Sequence, residues 1–436
     1  MTIPENVQID FTDDEITCSG GSIFLSALAT HLDLPAHLSE SIHLKVRHRG
    51  ASDADTLLSL IYTLAQGDGL LSDVDRLHAD HVRSCLLGLS QVPKSRRVSD
   101  YLSRFDSVTV GQLQSVAGAV VSQILPSVIN HERDRLGYVP VFVDGSAIEV
   151  YGQHMEGTGR GYSGDRQYWL HSVYVGRLWA SGRLCPGGVD VASGWREQLD
   201  EVTELLAHEE DIWVCMDNAY YRGEVVDYLR EKNCDYSISV TNETYKRPLR
   251  EEVSFLWPGD WTTINDDGAE EAALIYHKPN KWSADESYVV VRTLSEGDQK
   301  YLFPRYTFIL VSRTDLPLAE LIARHRRKQG QENAQKGPLI DLDLHHPPCL
   351  RFEANRAFYT LGQIAQNLLM GVQYWLLPES ARVHGIRPII RDLVKTAARL
   401  VRHARVWTVK FAKTALRLDW INHAADRVEA FARGPG

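Results

Sequence analysis

Two short apolar runs, each closed by an aspartate, constrain this chain more than any other feature. Val139-Pro140-Val141-Phe142-Val143 leads into Asp144, and Ile212-Trp213-Val214-Cys215-Met216 leads into Asp217. Such runs read as buried strands, and acids at strand ends lie where loops and strand termini carry chemistry. Around them the periodicity alternates. Val139–Val150, Tyr168–Val175 and a stretch near Arg177–Leu184 have the β-branched and apolar pattern of strands joined by short turns. Arg196 to Ala207 is helical, with Leu199, Val202, Leu205 and Leu206 on its inner face. The strand Ile212–Met216, the helix Gly223–Glu231 and the strand Tyr236–Val240 follow.

Antiparallel strands first, then β-α-β, is the order of a ribonuclease-H-like sheet. The expected fold is therefore α/β: a ribonuclease-H-like catalytic core interrupted by a β-rich insertion, with helical N- and C-terminal regions. The expected divisions are a helical region over 1–135, the core over 136–240 and 313–378, the insertion over 241–312, and a basic helical region over 379–436.

A third isolated acid, Glu332, stands in Gln329-Gly330-Gln331-Glu332-Asn333-Ala334-Gln335-Lys336, just after the basic run Arg324-His325-Arg326-Arg327-Lys328. By itself, a lone Glu among cations reads as surface charge compensation at helical i,i+4 spacing. Together with Asp144 and Asp217 it would complete a hard, oxygen-rich site for divalent metal. The basic run would then hold phosphates, which is the constellation of two-metal phosphoryl transfer. No G-x-S-x-G, Cys/His signature or phosphate-binding P-loop suggests a competing chemistry.

The flanks are less specific. In the first 130 residues, segments such as Ser52–Gln66, with Leu57, Leu58, Leu60, Ile61 and Leu64 on one face, predict a bundle of helices. Val110–Ile129 is a longer helix that Pro126 could kink. The bundle reads equally as a structural unit or as a module that binds DNA ends. The 241–312 segment alternates as short strands and holds Trp257, Trp261 and Trp282, which suit either core packing or stacking on an unpaired base. Beyond it, Asp315 and Pro317 open a helix that Gly330 should interrupt and Gly337-Pro338 should end. Ala354–Leu376 is a long buried helix, and 385–433 reads as helical and basic.

Net charge is −10, which argues against a simple nucleic-acid binder, so the distribution of charge decides. Residues 1–140 hold seventeen acids against eleven bases, whereas Ser380–Gly436 holds twelve Lys/Arg against four Asp/Glu. DNA contact is thus expected of the C-terminal region, and in the N-terminal region only of a patch such as Lys94-Ser95-Arg96-Arg97. The six cysteines are scattered without C-x-x-C spacing, so no structural zinc site is expected. Cys85 and Cys215 read as small core residues. No apolar run reaches the roughly 20 residues of a membrane span, and the acidic N-terminus lacks a signal-peptide core, so the expected location is cytoplasmic.

Several ordered segments together resemble the DDE transposases of bacterial insertion sequences, closest to the group called IS thirteen-eighty. The resemblance runs from about Ser19 to Leu377. Cys18-Ser19-Gly20-Gly21-Ser22 resembles the family's opening segment, and Ser99-Asp100-Tyr101-Leu102-Ser103-Arg104-Phe105 its S-x-x-L-S-R-F segment. Asp144-Gly145-Ser146 resembles the first acid, Cys185-Pro186-Gly187-Gly188 the R-P-G-N loop, and Asp217-Asn218-Ala219-Tyr220 the second acid. Lys281-Trp282 resembles the S-W of the insertion. Gly330-Gln331-Glu332-Asn333 and Phe352-Glu353-Ala354-Asn355 resemble the third-acid region and the helix that follows. Set against a Y-x-x-R-x-x-x-E-x-x-x-x-x-x-K signature, this chain has His325, Lys328 and Leu339 at the Tyr, Arg and final Lys positions, and Lys336 stands one turn past Glu332.

The resemblance implies cut-and-paste transposition of bacterial DNA at the nucleoid through a hairpin intermediate. Asp144, Asp217 and Glu332 would be the catalytic acids, binding two Mg²⁺ ions with Mn²⁺ as an accepted substitute. Arg324, Arg326, Arg327, Lys328, Lys336 and Trp282 would contact DNA. The implied partners are double-stranded DNA, as terminal inverted repeats and target, and a second copy of the chain in a homodimeric synaptic complex, with no membrane. The alternatives are a domesticated transposase acting only as a DNA-binding protein, and a ribonuclease-H-like nuclease that cuts without joining.

Overall fold

The computed structural model describes residues 11–433 except positions 13, 47, 48, 162, 163, 267, 298 and 405, and except the side chains of 296, 300 and 329–336. In chain order the elements are β1 (Ile16–Thr17), α1 (Ser22–His31), α2 (Leu34–Ser41), α3 (Asp53–Leu64), α4 (Val74–Ala79), α5 (His81–Leu86), α6 (Ser95–Leu102), α7 (Ser107–Leu136), β2 (Val139–Glu149), β3 (Gly159–Arg160), β4 (Arg166–Val175), β5 (Leu178–Cys185), α8 (Trp195–Leu205), β6 (Ile212–Met216), α9 (Gly223–Glu231), β7 (Asp235–Val240), α10 (Glu243–Val253), β8 (Thr262–Thr263), β9 (Glu270–His277), β10 (Glu286–Glu296), β11 (Gln299–Val311), α11 (Leu318–Asp341), α12 (Phe352–Gly371), α13 (Ile386–Ile389), β12 (Ala398–His403), β13 (Val406–Phe411) and α14 (Leu418–Arg433). They divide into two compact units: residues 102–370, and residues 1–101 together with 371–436.

The larger unit is built on a mixed sheet of ten strands in the order β3-β4-β2-β6-β7-β11-β10-β9-β8, with β5 paired to β4. β2, β6 and β7 are parallel neighbours, while β4 runs antiparallel to β2 and β11 antiparallel to β7. The strands of the 241–312 segment therefore continue this sheet through β11 rather than forming a separate β subdomain. Edge pairing explains the difference: β7 offers β11 an open row of N–H and C=O groups.

α7 packs on β2, β4 and β5. Asp106 caps it by accepting from the Thr109 amide at 2.9 Å, and Gly137, at φ 77, ends it. Val110, Leu113, Ala117, Val121, Ile124 and Val128 recur at three- and four-residue intervals and are buried. The helix extends well past the expected Ile129 and passes through Pro126. It is long and apolar enough to cross a membrane by composition alone, a length the sequence reading overlooked; here it covers the sheet.

α11 also differs from expectation. It is continuous through Gly330 and Pro338, neither stopping at the first nor ending before the second. A helical glycine costs only about 1 kcal/mol relative to alanine. Burial of Leu321, Ile322 and His325 opposes that cost.

In the smaller unit, β12 and β13 form an antiparallel hairpin, with β1 on the outer edge of β12. The expected all-helical C-terminal region is thus partly a β-hairpin. Cys215 is buried as expected, but Cys85 is exposed, on the outer side of the short helix α5.

Candidate active site

Asp144 and Asp217 are brought level by strand register. β2 and β6 are parallel with Phe142 opposite Cys215, so each aspartate lies two residues past a paired position. Both therefore emerge at the level where the parallel pairing of β2 and β6 stops, and side chains two residues apart share a face. Asp217 directly follows β6, but β2 runs on past Asp144 to Glu149 against β4, so Asp144 lies within its strand rather than at the strand end the sequence suggested. Asp217 opens a helical turn over Asn218–Tyr220, and its Oδ1 accepts from the Ala219 amide at 2.9 Å. Asn218 Oδ1 accepts from the amides of Thr241 at 2.9 Å and Asn242 at 3.2 Å, tying this turn to the end of β7.

Tyr220 is buried beside both acids. Its hydroxyl is held well above the usual tyrosine range, chiefly by burial and then by the charges of Asp217 and Asp144. It is a neutral wall that does not titrate near neutral pH.

Lys328 of α11 reaches Asp144, with Nζ 3.6 Å from Oδ1. The lysine side chain is 9% exposed and the aspartate 19%, so solvent screens this pair less than a surface pair. α11 lies against the parallel strands: the Cys215 thiol donates to the Arg324 carbonyl oxygen at 3.6 Å. Burial pushes that thiol up to about 11, so it acts as a packed donor rather than as a nucleophile. His325 sits between two serines of β7, with Nδ1 3.0 Å from Ser237 Oγ and Nε2 2.9 Å from Ser239 Oγ. Burial, then the charges of Lys328 and Arg326, lower its pKa to about 4.

The glycine after Asp144 has a specific cause. A Cβ on Gly145 would lie 2.7 Å from Val191 Cγ2 and 3.3 Å from the Val191 carbonyl oxygen, so the β5–α8 loop can cross here only over glycine. That loop is pinned by Asp190, which accepts from Arg222 Nη2 at 2.7 Å through both carboxylate oxygens. Burial works against ionisation of Asp190, but the Arg222 and Ala192 hydrogen bonds outweigh it and leave the carboxyl below its usual range. Gly187 is likewise forced: its Cβ would meet the Gln167 carbonyl oxygen at 1.8 Å.

The expected DNA-contacting residues fare differently. Arg324 stacks over Tyr138 at 4.2 Å and Trp213 at 4.8 Å, and pairs with Glu320 at 2.5 Å. Arg326 forms a bidentate pair with Glu270 at 2.7 and 2.8 Å. Arg327 is exposed, with its guanidinium 5.8 Å from the Tyr138 ring. Lys328 faces Asp144. The side chains of Glu332 and Lys336 lie outside the described residues; their backbone belongs to α11.

Trp282 is half-buried in the β9–β10 turn and packs on Tyr221, four residues past Asp217, with ring centroids 4.9 Å apart. Tyr221 also packs on Tyr245 and shares a 2.7 Å hydrogen bond with the Tyr288 hydroxyl. The turn thus returns to the neighbourhood of the second aspartate. Trp261 is covered by Arg292 at 3.9 Å, and Trp257 is 77% exposed. Tyr220, Tyr221 and the Arg222–Asp190 pair were missed as site residues. The one signal for them was their adjacency to the second acid.

Two level carboxylates on adjacent strands, with a buried lysine against one, supply oxygen donors of the kind a hard divalent cation takes. Among the described residues, no group of three or more His, Cys, Asp or Glu gathers tightly enough to hold a metal. The arrangement belongs to a class of enzyme that works on phosphoryl groups, and the sequence comparison names the family: the model of transposase DDE domain group 1 matches residues 2–432. The chain belongs to that family and is a DDE transposase, an enzyme of DNA transposition and recombination whose relatives use divalent metals. No curated protein matches the sequence. A solved piggyBac transposase synaptic complex with hairpin DNA is similar at 10% identity over 97% of this chain and 85% of that one, with a TM-score of 0.45.

Proposed function

We propose that this transposase belongs to the bacterial IS thirteen-eighty group and cuts and joins DNA by two-metal phosphoryl transfer on a ribonuclease-H-like core. The observation that carries the reading is the level placement of Asp144 and Asp217, with Lys328 of α11 against Asp144. The strand order β5-β4-β2-β6-β7, antiparallel and then parallel, supports the core assignment. The 241–312 segment is then the insertion between the second and third acids.

Glu332 is the third acid in this reading. It follows Lys328 by four residues, one turn of α11 or about 6 Å along the axis. Asp217 lies two residues past Cys215, about 7 Å along its strand, and Cys215 bonds to the α11 backbone. The backbone of α11 at Glu332 follows the Lys328–Asp144 contact by one helical turn, which supports reading Glu332 as the third acid.

Mg²⁺ ions, when bound, would polarise the scissile phosphate and activate water or a 3′-hydroxyl; Mn²⁺ suits the same oxygen donors. The protein's own residues hold and orient. Asp144, Asp217 and Glu332 would hold the metal ions. Lys328 pairs with Asp144 and holds its carboxylate in place. Of the basic run, Arg327 is the candidate for DNA phosphate, with Lys336 further along α11. Trp282 stacks on the base displaced as a hairpin forms. The protein acts in the cytoplasm on nucleoid DNA, pairing two terminal repeats as a homodimer.

The test is a time course with Mg²⁺ on a labelled duplex of the element's end, resolving nicked, hairpin and joined products. All three products are expected, and all should vanish in Asp144→Asn. Product formation by that variant at the wild-type rate would overturn the assignment.

A further inference from the structure

The longest acid-free stretch of the C-terminal region is built as a projecting ribbon. Between Asp392 and Asp419 the sequence holds seven Lys/Arg and no Asp or Glu, on a chain of net charge −10. β12 and β13 lie within it, paired from Ala398–Phe411 to His403–Val406. β1 flanks only the root, opposite Ala398 and Arg399.

The root is anchored and the tip is not. Leu400 is buried with Val82 and Leu86, and Ile23 and Val409 pack against them. Phe411 stacks on Phe24 with centroids 6.1 Å apart and rings 7° from parallel. Beyond Leu400 the burial stops. Val406 is 63% exposed and Trp407 52%, although β-branched and aromatic side chains of this kind usually pack.

Cross-strand pairs set the faces. Arg402 lies opposite Trp407, with its guanidinium 5.2 Å from the ring, on the same side as Leu400 and Val409. Arg399 with Lys410, and His403 with Val406, take the other side. Arg399 pairs with Asp14 at 2.5 Å. Arg402, His403, Lys410 and Lys413 are exposed and have no acidic partner among the described residues. Positive charge therefore stands on both faces of a two-stranded ribbon, with an aromatic and a valine at its end.

We propose that the β12–β13 hairpin is a ribbon that enters a groove of double-stranded DNA. Two paired strands lie about 4.8 Å apart, and with their side chains they match a major groove about 12 Å wide. Cations on both faces meet phosphates on both walls, and contacts of this kind fix position on the duplex. The Trp407 and Val406 side chains gain an apolar surface in the groove, such as thymine methyls. The inference rests on the transposase reading only for the identity of the partner. The ribbon and its charge are independent of the aspartates.

The experiment uses the full chain and a fluorescein-labelled 30-base-pair duplex of mixed sequence, titrated over a series of NaCl concentrations. Its single strand and phosphatidylserine/phosphatidylcholine vesicles are run in parallel. Wild type should prefer the duplex and lose affinity steeply with salt. Arg402→Gln/Lys410→Gln should make the log–log salt slope shallower by about 1.8, roughly 0.9 for each contact, and weaken binding tenfold or more at low salt. Arg402→Lys should keep the wild-type slope. Trp407→Ala should lower affinity without altering the slope.

Unchanged affinity and slope in the double variant would overturn the proposal, as would a wild-type preference for single strands or vesicles. Thermal unfolding at the wild-type temperature checks that the exposed substitutions leave the fold intact. If the double variant binds like wild type while Mg²⁺-dependent cleavage persists and still requires Asp144, the ribbon fails and the transposase reading stands. If wild type binds no duplex and also leaves the duplex of the element's end uncut, both fail.

Discussion

The basic run of α11 and the basic hairpin of the smaller unit are similar in composition and opposite in construction. In α11 the cations are consumed by the fold: Arg324 by Glu320 and two aromatic rings, Arg326 by Glu270, Lys328 by Asp144. Arg326 and Arg327 are both exposed, and of the described cations of that run only Arg327 has no acidic partner among the described residues. In the hairpin, Arg402 leans on a ring and Lys410 extends from an exposed position, as does Lys413 just past the hairpin. A run of charge in a sequence therefore says little about a polyanionic partner until its internal partners are known. Paired, it shapes a site; unpaired, it is available for phosphate.

The sharpest way to break that comparison is Asp144→Asn. If α11 serves the acids and the hairpin serves binding, cleavage should fall by about a thousandfold or more. Metal ligation carries several kcal/mol of transition-state stabilisation, and each 1.36 kcal/mol is tenfold in rate. Duplex affinity should stay within about twofold. A parallel loss of binding would show the two regions to be one site.

Next in size is the pH response of His325. Its folded pKa of about 4 lies below the ordinary value of 6.5, so the unfolded chain binds the extra proton between those values. Its contribution to stability is complete above about pH 6.5, is lost as pH falls through that window, and is spent near pH 4. The loss is on the order of 3 kcal/mol. Urea unfolding of wild type and His325→Gln across pH 4–7 checks this. Identical pH profiles would mean that the imidazole is not held neutral between Ser237 and Ser239.

Trp282→Ala tests whether the β9–β10 turn belongs with catalysis or with binding. Stacking on a base is worth about 1–3 kcal/mol, so hairpin formation should slow roughly 5- to 150-fold. First-strand nicking and duplex affinity should change much less. Equal slowing of nicking and hairpinning would assign the residue to packing against Tyr221.

The smallest effect separates neighbours on α11. Arg326→Gln should leave the salt slope of duplex binding unchanged and cost under about 1 kcal/mol of stability, as expected of a half-exposed pair. Arg327→Gln should make the slope shallower by about one. A reversed pattern would mean that Glu270 releases Arg326 to DNA.

Much of the core was legible because its signals are local. β6 ends where its apolar stretch meets Asp217, and the apolar stretch of β2 meets Asp144 just past the last residue it pairs with β6. The helix read over Gly223–Glu231 is α9. The hairpin was not legible. Ala397-Ala398-Arg399-Leu400-Val401-Arg402 has the composition of a helix, and the contrary signal, the β-branched Val401, Val406, Thr408 and Val409, is spread across a turn. Only packing of Leu400 on Val82 and Leu86, and of Phe411 on Phe24, selects strand there.

The sequence by itself determined the strands that carry the aspartates, the glycine that follows the first, and the order of antiparallel and then parallel strands. These follow from side-chain type and spacing within a few residues. Tertiary structure alone decided which cations are neutralised, that Lys328 faces Asp144, that Val191 crosses Gly145, and that the strands of the 241–312 segment extend the main sheet through β7 and β11. Each of these depends on groups far apart in the chain. Burial and charge pairing at such distances are properties of where the chain returns, and no local pattern encodes the return.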